Sequence, residues 1–169
     1  MSFVKVTEQK YDSRNTSINK LNKVYTNYSF KPNSFILDYG GGKYNTNIDY
    51  MKKFGSAVVV YDPYNRSIEE NERTFNLCNK YNLDYVVCSN VLNVIKEQES
   101  INEVLSNIKN ISREETIILF TVYEGNRSGM GEKTTKGYQR NQKYSDYLNI
   151  IELYFNIIKV ERGIIVCRK

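Results

Sequence analysis

The chain has 169 residues, enough for one domain with a buried core, and 40% of them are apolar. Histidine is absent, which excludes Ser-His-Asp and Cys-His catalysis and a histidine general base. The net charge of +5 is mild and favours an anionic partner only weakly.

Met1 to Asn27 is polar, with no apolar leader, and no apolar run approaches the roughly 20 residues that span a bilayer. A cytoplasmic protein with no membrane partner is therefore expected. Ile18, Leu21, Val24, Tyr25 and Tyr28 fall at helical spacing and predict a helix over 14–28. Asn15 or Thr16 is its expected cap, and Lys31-Pro32-Asn33 its break. Phe35-Ile36-Leu37 reads as a buried strand, followed at once by Gly40-Gly41-Gly42. A helix is expected from Asn45, Thr46 or Asn47 to about Phe54, with Ile48, Met51 and Phe54 facing in and Gly55 ending it.

Ala57 to Tyr61 predicts a second strand, closed by Asp62-Pro63. A weak helical stripe follows through Ile68, Phe75 and Cys78. Asp84 to Ser89 predicts a third strand. Ile101, Val104, Leu105 and Ile108 mark an amphipathic helix, and Thr116 to Tyr123 is the strongest strand. Glu124 to Lys143 reads as a long polar loop. Tyr144, Tyr147, Leu148, Ile151 and Tyr154 make a further helical stripe. Phe155 to Glu161 and Ile164 to Arg168 predict two strands joined at Gly163. Alternating strands and helices imply an α/β fold with a doubly wound, mostly parallel sheet. The tight turn at Gly163 makes the C-terminal edge an antiparallel hairpin, because parallel strands need a long crossover. Cys78, Cys88 and Cys167 are widely spaced and read as reduced, mostly buried thiols, and no metal site is expected.

The segment Ile36 to Tyr44 carries the chemistry: a strand ends in a glycine turn that opens a helix. Glycine lets the chain turn sharply and lets a ligand approach the main chain. Asp62 lies about twenty residues on, at the next strand end, where a carboxylate can accept bonds from ribose hydroxyls. A dinucleotide fingerprint would require glycine at Asn45, and no Gly-Lys-Ser/Thr follows to make a phosphate-cradling loop.

On these residues the chain resembles the class I S-adenosylmethionine-dependent methyltransferases over roughly 33–169, and in particular their small phage and bacterial types. The resemblance implies a Rossmann-like fold with S-adenosylmethionine as cofactor. Asp38-Tyr39-Gly40-Gly41-Gly42 is similar to the family's first motif, with Asp38 near the methionine amino group and the glycines under the cofactor. Tyr61-Asp62-Pro63 is similar to the second, with Asp62 on the ribose and Pro63-Tyr64 near the adenine. Asp84 to Ile95 resembles the fourth strand and its turn, so that Ser89, Asn90 and Val91 would close over the methionine end. Tyr39, Tyr44 and Tyr64 are candidates for an aromatic face toward a sulfonium. Residues 1–32 would form a helical segment covering the cofactor and 33–169 the catalytic domain, in one domain overall. The sequence departs from the family where Tyr44 replaces the third glycine, where no third strand is evident between Asp62 and Asp84, and where Ser112-Arg113-Glu114-Glu115 replaces a Pro-Gly-Gly turn.

No Asp/Asn-Pro-Pro-Tyr segment follows the fourth strand, and no cysteine stands in a Pro-Cys turn, which disfavours ordinary DNA base methylation. The acceptor is expected to be a small molecule or a nucleic acid, entering beside the 124–143 loop, whose Arg127, Lys133, Lys136, Arg140 and Lys143 could hold phosphates. Asn93, Tyr123, Tyr138, Gln139 and Arg140 are the acceptor-side candidates, the last three within a Gly-Tyr-Gln-Arg-Asn segment similar to one in short phage and bacterial proteins. A noncatalytic S-adenosylmethionine-binding or regulatory protein is the alternative. No residue stands out as a general base.

Overall fold

Short runs of β-branched and aromatic residues build the sheet, and the computed structural model describes residues 17–169. In chain order the elements are α1 (Lys23–Asn27), β1 (Phe35–Tyr39), α2 (Thr46–Lys52), β2 (Ala57–Tyr61), α3 (Ile68–Lys80), β3 (Tyr85–Ser89) and α4 (Gln98–Ile111). They continue with β4 (Ile117–Thr121), β5 (Glu132–Thr134), β6 (Gly137–Gln139), α5 (Ser145–Glu152), β7 (Asn156–Glu161) and β8 (Ile164–Arg168). The main sheet runs β2-β1-β3-β4-β8-β7, with the first four strands parallel and β8 and β7 antiparallel at the edge. This is the Rossmann-like, mostly parallel arrangement expected. Residues 62–84 form only α3, so the missing third strand is a real feature of this sheet.

Strands covered on both faces are apolar at nearly every position, and the pleat sends alternate residues to opposite layers. Ile36, Val87, Leu119 and Val166 face Val24, Tyr25 and Met51. Leu37, Val86, Phe120 and Ile165 face Leu105, Ile108 and Ile151. Phe120 is fully buried, so Phe120→Ala should cost about 3–5 kcal/mol in a denaturant titration. Arg162 and Gly163 both have positive φ, 52° and 77°, the two-residue turn whose twist suits a hairpin. Burial pushes the thiols of Cys78 and Cys167 up to about 12 and raises that of Cys88 as well, which leaves all three unreactive.

Several sequence expectations shift. The first helix is only α1, capped by the Asn22 side chain on the Val24 amide; Asn15 and Thr16 lie outside the described residues. Ile18, Phe54 and Ile68 are exposed, not inward-facing. Ile68 is surface because α3 starts there on a capping box, Ser67 and Glu70 each bonding the other's backbone amide. The 124–143 loop contains the β5–β6 hairpin, tied down by Asn141, whose Nδ2 donates to the Met130 carbonyl and to Glu132. No helix among the described residues is long and apolar enough to cross a membrane.

Candidate active site

The strand order β2-β1-β3 sends the chain away from β1 in opposite directions, and ligands bind at the carboxyl end of such a switch point. A cleft of about 620 Å³ opens there, within the range of cofactor sites. Its lining includes Asp38, Tyr39, Gly40 to Gly42, Asp62, Pro63, Tyr64, Ser89, Asn90 and Val91. Segment 17–24, Thr121 to Tyr123 at the end of β4 and the β7–β8 turn at Arg162 and Gly163 contribute further wall. The cleft thus gathers every expected cofactor residue except Tyr44, whose carbonyl accepts from Arg66 instead. Tyr39 contributes backbone only: its ring is buried in the core, and its hydroxyl accepts from Asn107 Nδ2 at 3.1 Å.

The glycines are required by contact. A Cβ on Gly40 would strike the Val91 side chain, and one on Gly41 would lie 2.7 Å from the Asp38 carboxyl carbon. The Gly42 amide donates to Asp62 Oδ2 at 2.9 Å, and the Lys43 amide donates to Ser17 Oγ at 3.1 Å. Thr46 Oγ1 donates to Asn19 Oδ1 at 2.7 Å, so residues 17–19 are strapped to the glycine loop from the N-terminal side.

Asp38 shares its sheet face with Ile36 and is 2% exposed. Burial raises its carboxyl to about 6, opposed by the hydrogen bond from Asn47 Nδ2 at 2.9 Å. The buried Tyr25 hydroxyl stands near enough to perturb the same carboxylate but makes no hydrogen bond of ordinary geometry among the described residues. Asn47 Oδ1 accepts from the Asn22 amide at 3.0 Å, which couples Asp38 to the start of α1.

Asp62 is 5% exposed, and both its oxygens are engaged. Oδ1 accepts from the amides of Tyr64 and Asn65, at 3.0 and 2.9 Å. Oδ2 accepts from the Gly42 amide and from Asn65 Nδ2, at 2.9 and 3.1 Å. Of these four donors only the Asn65 side chain can swing away.

A second cavity, about 540 Å³, shares Ile18, Asn90, Val94 and Tyr123 with the cleft and is lined on its far side by the β5–β6 hairpin. Asn93, Tyr123, Tyr138 and Gln139 line it. Arg140 does not. Its guanidinium is held by the carbonyls of Ile95 and Lys96 and by Gln98 and Gln142, a brace between the hairpin and the turn at Leu92–Val94.

Sequence reasoning missed Arg66. Its Nε donates to the Gly42 carbonyl at 2.9 Å, and its Nη2 to the Tyr44 carbonyl at 3.1 Å and to Asn45 Oδ1 at 2.9 Å. A rigid donor fork thus holds the loop at the point where the third glycine is replaced. The Asp62-to-Ser67 spacing toward a helix start is a signal, but a lone arginine there carries no pattern. Arg66→Lys should keep the charge, lose the fork and weaken ligand affinity in the cleft about tenfold, read by calorimetry.

The sequence profile of a methyltransferase domain family matches residues 14–151. Comparison with curated protein sequences finds no match. Among solved structures, the Burkholderia thailandensis 1,6-didemethyltoxoflavin-N1-methyltransferase, with 1,6-didemethyltoxoflavin and S-adenosylhomocysteine bound, is 14% identical. That match covers 82% of this chain and 72% of that one, with a TM-score of 0.62. A TehB-like S-adenosylmethionine-dependent methyltransferase from Corynebacterium glutamicum is 16% identical, covering 86% and 85%, with a TM-score of 0.54. Human N-acetylserotonin methyltransferase, in complex with S-adenosylmethionine, is 16% identical, covering 86% of this chain and 50% of its own, with a TM-score of 0.58. At these identities the likeness is one of fold.

Proposed function

This chain belongs to the methyltransferase domain family, and we propose that it moves a methyl group from S-adenosylmethionine to a small-molecule acceptor. The observation that carries the reading is the cleft at the switch point, with a glycine floor between two buried carboxylates, Asp38 and Asp62. When bound, the cofactor supplies a methyl group already activated on a sulfonium, so a chain without histidine needs only to align two reactants.

Each wall has a matching task. Asp38 attracts the methionine ammonium. Asp62 accepts from the ribose hydroxyls once Asn65 Nδ2 yields its place. Pro63 and Tyr64 flank the adenine, and Ser89, Asn90 and Val91 close the methyl-bearing side. Segment 17–24 covers the cofactor from above. A small acceptor is favoured over nucleic acid because two of the loop's cations are already committed. Arg127 pairs with Glu124 at 2.7 Å, and Arg140 braces the turn. Three unpaired buried thiols suit a reducing compartment, the cytoplasm.

The test is calorimetric titration with S-adenosylhomocysteine, with NAD as control, at several pH values. Micromolar binding of S-adenosylhomocysteine and none of NAD is expected; the reverse would defeat the reading. The pH dependence has a definite sign. A cation prefers the ionised Asp38, so affinity should hold above pH 6 and fall about tenfold by pH 5. The free protein behaves oppositely. A raised carboxyl pKa favours the protonated fold, so stability should decline by about 2 kcal/mol as pH rises from 4 to 6 and level off near pH 7. Asp38→Asn should remove that slope in urea titrations.

A further inference from the structure

Asn93, on the lining of the second cavity, carries a buried polar atom that the fold positions and then leaves without a partner among the described residues. The carbonyl of Tyr123 can only accept, so the Gln139 carboxamide, 2.8 Å away, must present Nε2 to it. That turns Gln139 Oε1 toward Asn93, which must answer with Nδ2, at 3.1 Å. The orientation of both amides is therefore fixed by one backbone carbonyl. Asn93 Oδ1 is left over: it is buried, in a residue 1% exposed, and accepts no hydrogen bond among the described residues. An unpaired buried amide oxygen is destabilising, and a ligand donor would relieve it. Asn93 has little freedom to relieve this itself, because its own carbonyl is engaged by the Arg140 amide at 2.9 Å.

The rest of the cavity offers aromatic and apolar contacts beside polar ones. Tyr123 and Tyr138 supply aromatic lining, Val94 and Ile18 supply apolar contact, and the space opens into the cofactor cleft at Asn90 and Tyr123. Its volume of about 540 Å³ suits one or two fused rings. Glu132 and Lys136 on the lining balance each other in charge, which suits a neutral ligand.

We propose that the methyl acceptor is a small ring compound carrying an N–H or O–H group, which donates to Asn93 Oδ1 in this cavity. This rests on the methyltransferase reading of the adjoining cleft. Asn93 is a positioning and specificity residue here: it distinguishes ring compounds with a donor from those without one.

The experiment uses the full chain, with 15N-labelled asparagine and glutamine, saturated with S-adenosylhomocysteine. Matched probes are titrated in pairs: phenol against anisole, and 2-aminopyridine against 2-(dimethylamino)pyridine. The expected result is a shift of the Asn93 side-chain amide signals by phenol and 2-aminopyridine, with at least tenfold tighter binding than their methylated partners. Asn93→Leu should erase that preference, and the wild-type comparison stands even if this variant fails to fold. Equal binding within each pair, shifts confined to other sites, or no binding by any probe would overturn the proposal. So would a twelve-nucleotide single-stranded DNA that alone shifts Asn93, since the acceptor would then be a nucleic acid. Saturation with S-adenosylhomocysteine is measured first, so loss of the cofactor reading appears as a missing first titration, and loss of this inference appears only in the second.

Discussion

Asp62→Ala is expected to lower S-adenosylhomocysteine affinity about 100-fold and unfolding stability by about 3 kcal/mol. The two effects have separate origins. In the free chain the carboxylate collects four donors: the amides of Gly42, Tyr64 and Asn65, and Asn65 Nδ2. Its loss strands these groups and unties the glycine loop from the end of β2, hence the stability cost. Ligand binding loses in addition the charge-assisted bonds proposed for the ribose hydroxyls, each worth about 1.5–3 kcal/mol. Asn65→Ala separates the two. It removes only the donor that a ribose would replace, so it should preserve affinity or improve it slightly. A 100-fold loss from Asn65→Ala, or a full-strength Asp62→Ala, would contradict the ribose role. Calorimetry and urea titration of both variants read the two effects independently.

Gly41→Ala should be nearly as damaging, for a steric reason. Gly41 has no positive φ, so its backbone tolerates a side chain, but the new Cβ would lie 2.7 Å from Asp38 Cγ and 2.9 Å from Oδ2. Asp38 is buried and held by Asn47, so it cannot swing aside as a surface chain would. Either the carboxylate leaves Asn47 or the loop rises into the cleft. Overpacking of this kind costs about 1–3 kcal/mol, and displacement of the floor should cut S-adenosylhomocysteine affinity at least 30-fold. Gly129→Ala is the matching control. It meets no atom within 4 Å but has φ 73°, so it should cost about 1 kcal/mol in stability and leave cleft affinity alone. If both alanines affected affinity equally, the contact with Asp38 would not be the cause.

The parts of the fold legible in the sequence were those governed by local pattern. The runs at 57–61, 85–89 and 117–121 are apolar except for Ser89 and Thr121 at their carboxyl ends, because both faces of each strand are covered. The Ile101-Val104-Leu105-Ile108 stripe meets the core as its spacing implies. The glycine loop and Asp62 were legible because close backbone approach restricts residue type. What escaped were long-range polar ties. Asn22 as a cap 25 residues from Asn47, and Arg66 on carbonyls 22 to 24 residues back, follow no period. Arg140, basic and within a loop, reads as a phosphate ligand until the carbonyls of Ile95 and Lys96 are seen to hold it. Gln139 likewise reads as a ligand-facing amide but serves as a strut between Tyr123 and Asn93. The hairpin inside the 124–143 loop stayed hidden because its three-residue strands are too short to show alternation.

The most direct test of the central claim is a crystal structure of the chain with S-adenosylhomocysteine. The cleft over Gly40 to Gly42 should hold the ligand, with the ribose hydroxyls on Asp62, the Asn65 side chain displaced and the amino group facing Asp38. Asn65 still bonded to Asp62, with the nucleoside bound away from the glycine floor, would contradict it.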